Sequence, residues 1–320
     1  MATQAPSHLT LVEIAKRMFN NEMLDIVTAL SEFNGAIEDS RWVEANGTTV
    51  HITSRVDSEP SGSFVAINEG VTGEVAKTKQ IEDYLALLEA ESRVDDRLFR
   101  LHGRKAAIRG TEDMAFVRGI KKNMAAKLFY ANRFTTPREY HGLANRFNAL
   151  SDANVIGTGG TGSDLSSIWI IAHDELDGFH MLYPQGHKSA GIESDDLGLQ
   201  RVLDASSNPY PAWVTWFRAH HGFAVKDERN VQRIANIETA GSDNIFDPDD
   251  LVDAISLMTN RENAVIYCNR TIKAQIDKNA LGKSNGFYMQ PDIYGRSTPH
   301  FWDVPIRLHE QLLTTESQLS

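Results

Sequence analysis

Thr48-Thr49-Val50-His51-Ile52-Thr53-Ser54-Arg55-Val56, then Asp57-Ser58-Glu59-Pro60-Ser61-Gly62, then Ser63-Phe64-Val65-Ala66-Ile67: the reading of these three runs decides the fold. The first is β-prone but mixed in polarity on both faces, the second is turn chemistry, and the third runs back. Together they predict a two-stranded arm from Val43 to Val71 with no core of its own. An isolated hairpin is marginal in water, so a long one with little apolar surface either docks on its own domain or lies across another subunit. The pattern points to a chain built for assembly. A surface hairpin on an ordinary enzyme is the plainer alternative.

Outside the arm, 320 residues with 41% hydrophobic and 23% charged composition describe a soluble globular protein with one large core or two modest ones. The sequence contains no run of 18 apolar residues, and Met1-Ala2-Thr3-Gln4-Ala5-Pro6 lacks the basic and apolar regions of a secretory signal. Neither a membrane span nor export is expected, and a reducing cytoplasm fits. Cys268 is the single cysteine, which excludes an internal disulfide, a zinc site of several thiolates and a redox pair. Within the apolar run Ala264 to Cys268 it reads as a buried, inert thiol.

The net charge of −11 is unevenly spread. From Arg100 to Arg146, eleven Lys or Arg stand against Glu112, Asp113 and Glu139, a balance of +8 that leaves −19 for the rest. Such segregation suits pairing between acidic and basic faces of neighbouring copies, or a basic face turned to a polyanion; neutralisation within the chain is the third option. A general nucleic-acid binder would be basic overall.

Along the chain, Thr10 and Glu13 form a capping box, and Leu11, Ile14, Ala15, Met18 and Phe19 predict a helical N-terminal arm that ends before Asn34-Gly35. A strand is expected from Lys79, then a short helix opened by Ser92 to Asp95 and reaching about Leu101. The clearest helix runs from Glu112 to Asn132 with Thr111 as N-cap, about 30 Å long. Met114, Val117, Ile120, Met124 and Leu128 form its apolar face, and Arg118, Lys121, Lys122 and Lys127 a basic stripe. Strands follow at Ile168–Ala172 and Trp213–Val225; Val231 to Ile237 reads as strand or helix. Asp247-Pro248 opens a helix to about Asn260, Ala264–Cys268 is a strand, and Asn269 caps a helix stopping near Gly282. One strand, Phe301 to Leu308, closes the fold before a frayed end. Without a regular βαβ beat, the class is mixed α+β.

Chemical motifs are weak. Gly157 to Asp164 is rich in glycine but lacks the Lys-Ser/Thr ending of a phosphate loop, and a strand rather than a capped helix follows, so it reads as a turn. Leu281-Gly282-Lys283-Ser284 lacks the first glycine of that motif and reads as a helix stop. His173-Asp174-Glu175-Leu176-Asp177-Gly178-Phe179-His180 fits neither zinc nor calcium spacing. His220 and His221 lie in a strand and point to opposite faces. No catalytic residue, cofactor or metal is expected.

The order of parts, helical arm, extended arm, strand into a long helix, mixed domain and terminal strand, resembles the major capsid proteins of tailed bacteriophages, with the Hong Kong 97-type fold. Three passages carry the likeness: Ile67-Asn68-Glu69-Gly70-Val71, Trp213 through Val225 to Ile237, and the Asp247 helix with the Ala264 to Asn269 strand. The nearer resemblance is to short-tailed, epsilon-fifteen-like phages. It implies an N-arm at 1–40, an extended loop at 41–78, and a peripheral domain at 79–145 with spine helix 112–132. It further implies axial segments 146–209 and 241–299, peripheral strands at 210–240, and a C-terminal strand and tail at 300–320. Arg55, Asp57, Glu59, Pro60, Phe64 and Glu69 would make intersubunit arm contacts, and the basic spine face would meet DNA or a scaffold. Hexamers and pentamers would close into an icosahedral shell around packaged double-stranded DNA, in a virion assembled in the host cytoplasm. The expected partners are a separate scaffolding protein, a portal and a cement or decoration protein, with no membrane. Only about 40 residues precede the arm and Lys77 and Lys79 lie at its base, so neither N-terminal processing nor a covalent crosslink is expected. The rival readings are an encapsulin-like nanocompartment shell, an acidic cytosolic enzyme using the Gly157 loop, and a phage decoration or tail component.

Overall fold

Two large sheets and one small two-stranded sheet are found among the described residues, and one long helix bears on both large ones. The computed structural model describes residues 18–19, 22–23, 35–102, 105–187, 190–241, 243–282, 287–291 and 297–320. In chain order come β1 (Met18–Phe19), β2 (Glu22–Met23), α1 (Gly35–Asp39), β3 (Trp42–Glu44), β4 (Val50–Ser58) and β5 (Lys77–Asp95). Helices α2 (Asp96–His102), α3 (Lys105–Tyr130) and α4 (Leu143–Arg146) follow, then β6 (Val155–Gly157), β7 (Leu165–Ala172), β8 (Phe179–Tyr183), β9 (Glu193–Leu203) and β10 (Pro209–Val225). The remainder is β11 (Val231–Glu238), α5 (Pro248–Leu257), β12 (Ala264–Cys268), α6 (Arg270–Gly282), β13 (Phe287–Pro291), β14 (Ser297–Phe301) and β15 (Val304–Leu308).

The first sheet has six strands in the order β3-β8-β10-β5-β4, with β9 on the free half of β10. β10 can pair over its whole length because Pro209 and Pro211, which donate no hydrogen bond, sit in its first three residues, before the ladder to β5 begins at Ala212. The second sheet has seven strands, β13-β14-β15-β12-β7-β11-β6. Every residue of β7 is buried, as its continuous apolar run requires. Ile168, Ile170 and Ala172 pack toward Leu251, Ala254 and Ile255 of α5 and Ile272 and Ile276 of α6, while Trp169 and Ile171 face a core shared with Phe179, Met181 and Phe223 of the first sheet.

Helix α3 ties the two together. Ile120 and Met124 pack on Phe217 and Ala219 of the first sheet, and Leu128 and Phe129 enter the shared core. The helix has 26 residues, about 39 Å, and begins earlier than its sequence signals suggest. Thr111 is not its cap: the Thr111 hydroxyl donates to the Ala107 carbonyl inside the helix (2.8 Å).

Further corrections concern strand ends. The return strand of the arm is not Ser63–Ile67: β4 pairs antiparallel with β5, from Val50 opposite Tyr84 to Ser58 opposite Lys77. Turn residues at 57–62 signalled a hairpin, yet residues 59–76 form no strand. Met18 and Phe19 pair with Met23 and Glu22 as strands rather than forming a helix; the other residues of the expected N-terminal helix lie outside those described. Phe301–Leu308 is two strands, with Trp302 at φ 52° in the turn between them. Val231–Glu238 is a strand, and the Asp247 cap holds, its carboxylate accepting from the Asp249 N–H.

β8 and β9, from 146–209, bond to β10, whereas β11, from 210–240, lies between β7 and β6.

Candidate assembly surfaces

The arm is firmly held at its root. Asn46 imitates a neighbouring strand: its side-chain amide donates to the Ile52 carbonyl (2.6 Å) and accepts from the Ile52 N–H (2.8 Å). His51 accepts from the Asn46 N–H at 3.1 Å, and burial holds its imidazole below the usual range, in the neutral form that can accept. Across the ladder from His51, the nearly inaccessible Asp83 takes a 2.6 Å hydrogen bond from Arg146, whose guanidinium lies 4.5 Å from the centre of the Phe223 ring. Arg133 stacks over Tyr84 at 3.8 Å. Arg55 stands opposite Lys79, a repulsive pairing relieved by an ion pair with Glu228 at 3.2 Å.

Beyond the root, the arm has no cover among the described residues. Phe64 and Ile67 are 108% and 94% exposed, and Val71 and Val75 are exposed beside them. Lone apolar side chains on a surface mean little, but with Val65 there are five on one 18-residue tip, an apolar patch of the kind that marks interaction sites. Local hydrogen bonds shape the tip: Glu69 accepts from the Ala66 N–H (2.8 Å), Glu74 from the Gly62 N–H (3.0 Å), and Asn68 adopts φ 71°. Glu59, Glu69 and Glu74 make it acidic, with no Lys or Arg between Ser58 and Lys77.

The residues singled out from sequence therefore divide. Glu59, Pro60 and Phe64 are exposed on the tip, Glu69 is tied into a turn, and Arg55 is engaged with its own chain. The Asp57 side chain lies outside those described. Arg118, Lys121 and Lys122 are exposed on α3, whereas Lys127 donates to Glu139 at 2.5 Å. Arg109 grips Asp196 with two bonds of 3.0 and 2.7 Å. Ion pairs within the chain thus engage Arg100, Arg109, Lys127 and Arg146 of the basic segment, with Asp96, Asp196, Glu139 and Asp83.

Sequence gave no sign of a buried polar lock at the C-terminus. Rather than fraying, the tail places Glu316, 7% exposed, against Arg233, 3% exposed, at 2.8 Å. Tyr130 and Ser167 donate to the same carboxylate, both at 2.5 Å, and Arg233 also donates to the Phe147 carbonyl at 2.7 Å. Asn236 pairs its side chain with both backbone groups of Leu319, at 3.0 and 2.9 Å. The lock joins the end of α3, the second sheet and the tail; Glu316 sits among Thr314-Thr315-Glu316-Ser317, which reads as solvent-facing.

The chemical motifs have structural roles. In the Gly157 loop, Gly160 donates to the Asn236 carbonyl at 3.1 Å, and a Cβ there would fall 2.2 Å from that oxygen. The loop is glycine-rich to lie against β11. His173 is buried 2.7 Å from the Tyr267 hydroxyl, which donates to Asp39 (2.7 Å), fastening α1 to the second sheet. Desolvation pulls the His173 pKa down to about 4. Asp174 closes a turn by accepting from the Leu176 N–H. Among the described residues no three His, Cys, Asp or Glu side chains form a metal-binding group, and no helix is long and apolar enough to cross a membrane. His221 is buried against Tyr140, whereas His220 faces Glu89 on the other side of the sheet. Burial pushes the Cys268 thiol up to about 12.

A two-sheet body, a helical spine and a projecting, uncovered arm define a subunit made to build a shell. A family model for major capsid protein GP7 matches residues 19–320, and the chain belongs to that family. A chain of bacteriophage Epsilon15 is 25% identical and superimposes with a TM-score of 0.75, covering 100% of this chain and 99% of that one. The bacteriophage JBD30 capsid is 12% identical, with a TM-score of 0.49 over 95% of this chain and 99% of that one. The SrpI encapsulin complex of Synechococcus elongatus PCC 7942 is 11% identical, with a TM-score of 0.47 over 72% and 97%. These last two scores lie below 0.5, too low to separate one kind of shell from another. No curated protein matches. The fold is of the Hong Kong 97 type, and the chain is a structural protein of the phage virion that self-assembles into the capsid.

Proposed function

We propose that the subunits form hexameric and pentameric capsomers that close into an icosahedral shell around packaged double-stranded DNA, with each arm lying over a neighbouring subunit. The acidic, apolar tip at 59–76 carries this reading, because it has no partner surface of its own among the described residues. Ordering such a tip costs conformational entropy, which an intersubunit interface offsets. Phe64 with Glu59 and Pro60 forms the contact, while Arg55 and Glu69 hold the arm in shape.

The peripheral domain is the six-stranded sheet with α3, and the axial domain is the seven-stranded sheet with α5 and α6. Arg118, Lys121 and Lys122 present a basic face to an anionic partner, packaged DNA or a scaffold. A separate scaffolding protein, a portal and a decoration protein complete the particle. The role is non-enzymatic and needs no cofactor: the Gly157 loop and the His173 cluster are both occupied in holding the fold.

Deleting residues 59–76 and joining β4 to β5 by a short turn tests the arm. The deletant is expected to stay soluble and folded yet form no shells. Normal shells from it would refute the reading.

A further inference from the structure

Strand β5 changes neighbours partway along. From Asp95 to Leu85 it pairs with β10 of the body, and from Tyr84 to Lys77 its partner is β4. The arm therefore leaves the body at Tyr84 as a two-stranded ribbon, which twists and bends more freely than a full sheet. Backbone pairing alone does not aim such a ribbon. Side chains at the point of departure do, and two arginines meet it there. Arg146 donates to Asp83 at 2.6 Å, and Arg133 lies over the Tyr84 ring, 3.8 Å from its centre.

Both arginines come from the connection that follows α3, and that connection is stiff. Arg133 donates to the carbonyls of Pro137 (3.1 Å) and Glu139 (3.4 Å), and the Glu139 carboxylate holds Lys127 in the last turn of the helix. The Gly142 N–H and the Asn145 side chain both donate to the Ala131 carbonyl. A braced connection of this kind carries the position of α3 to the base of the arm. Asp83 is 1% exposed, so its pair with Arg146 is a buried pivot that the fold itself needs. The Arg133–Tyr84 stack is only partly buried, and the fold can do without it. Farther out, Arg55 and Glu228 pair at 3.2 Å on half-exposed surface, where salt screens them.

We propose that Arg133 is a positioning residue for assembly: stacked on Tyr84, it fixes the direction of the arm relative to α3. An arm already aimed loses less freedom when it reaches a neighbouring copy. The inference rests on the arm reading above and adds what aims the arm.

Distances between spin labels at Ser63→Cys on the tip and Asn123→Cys on the exposed side of α3 test it in the unassembled full-length subunit; Cys268 is buried and stays unlabelled. High salt weakens the Arg55–Glu228 pair during the measurement. Arg133→Gln keeps an amide donor for the loop carbonyls but removes the cation, and Tyr84→Leu keeps apolar bulk but removes the ring face. Each should widen the distance distribution at least about twofold, with the urea midpoint held. The double variant should widen it no further, because both changes remove one contact. Tyr84→Phe keeps the ring face and should match the wild type. Without the labels, Arg133→Gln should raise the concentration at which shells appear about two- to fivefold, the factor an exposed cation–π contact is worth. An unchanged distance distribution in Arg133→Gln and Tyr84→Leu, or a double variant wider than either, would overturn the proposal. Widened distances with an unchanged threshold would instead refute the part of the arm in assembly.

Discussion

Phe64→Ala separates assembly from folding. The ring is 108% exposed in the subunit, so its removal leaves no cavity, and the subunit's stability should change by less than about 0.5 kcal/mol. With the arm laid over a neighbouring subunit as proposed, the same ring is covered, and burying a Phe contributes about 1.5–3 kcal/mol. A loss of about 1.4 kcal/mol is tenfold in an equilibrium constant, so the concentration at which shells appear should rise about 10- to 100-fold. Adding Ile67→Ala, 94% exposed, should raise it further, by less than an independent factor where the two side chains of one tip share partner contacts. Light scattering against protein concentration gives the threshold, and urea unfolding of the unassembled variant gives its stability. An unchanged threshold would refute the reasoning, as would a large loss of subunit stability, which would mean that the tip packs on its own chain.

Glu316→Ala leaves the buried Arg233 without its carboxylate and should cost the subunit about 3–5 kcal/mol; a loss below about 1 kcal/mol in urea unfolding would show that the lock is idle. Gly160→Ala puts a Cβ 2.2 Å from the Asn236 carbonyl and should destabilise by about 1–3 kcal/mol in the same assay, a wild-type midpoint contradicting the tight approach. His173, His221 and His309 are buried with pKa values near 4, whereas in the unfolded chain they titrate near 6.5. Between those values the unfolded state binds more protons, so the stability they contribute is whole above pH 6.5 and drains away as pH falls through about 4. Asp39, raised by burial, opposes that trend. The urea midpoint of the unassembled subunit should fall over this window, and a flat profile would contradict the assignment.

Periodicity and caps made most of the body legible. The continuous apolar run of β7, the long β10 and the Asp247-Pro248 helix start each carry a local signal strong enough to survive folding. The arm was legible as coreless, but its return strand was placed too early. Turn residues at 57–62 mark a bend in an irregular tip, whereas the true partner, Lys77–Asp95, reads locally as a strand of the body and carries no signal that it pairs with the arm. Helix α3 was cut short because Thr111 resembles a cap, although in place its hydroxyl bonds back into the helix. The C-terminal lock was invisible because Glu316 and Arg233 are 83 residues apart and each looks exposed locally. Charge segregation showed that a basic face exists, and only the fold showed which cations are already spent on Asp83, Glu139 and Asp196.

Electron microscopy of the purified full-length chain, with light scattering over a salt series, tests the central claim most directly. Shells, tubes or capsomer rings whose abundance changes with salt are the predicted result, salt reporting how much complementary charge contributes. A small particle of one size at every concentration and ionic strength would contradict an account built on self-assembly.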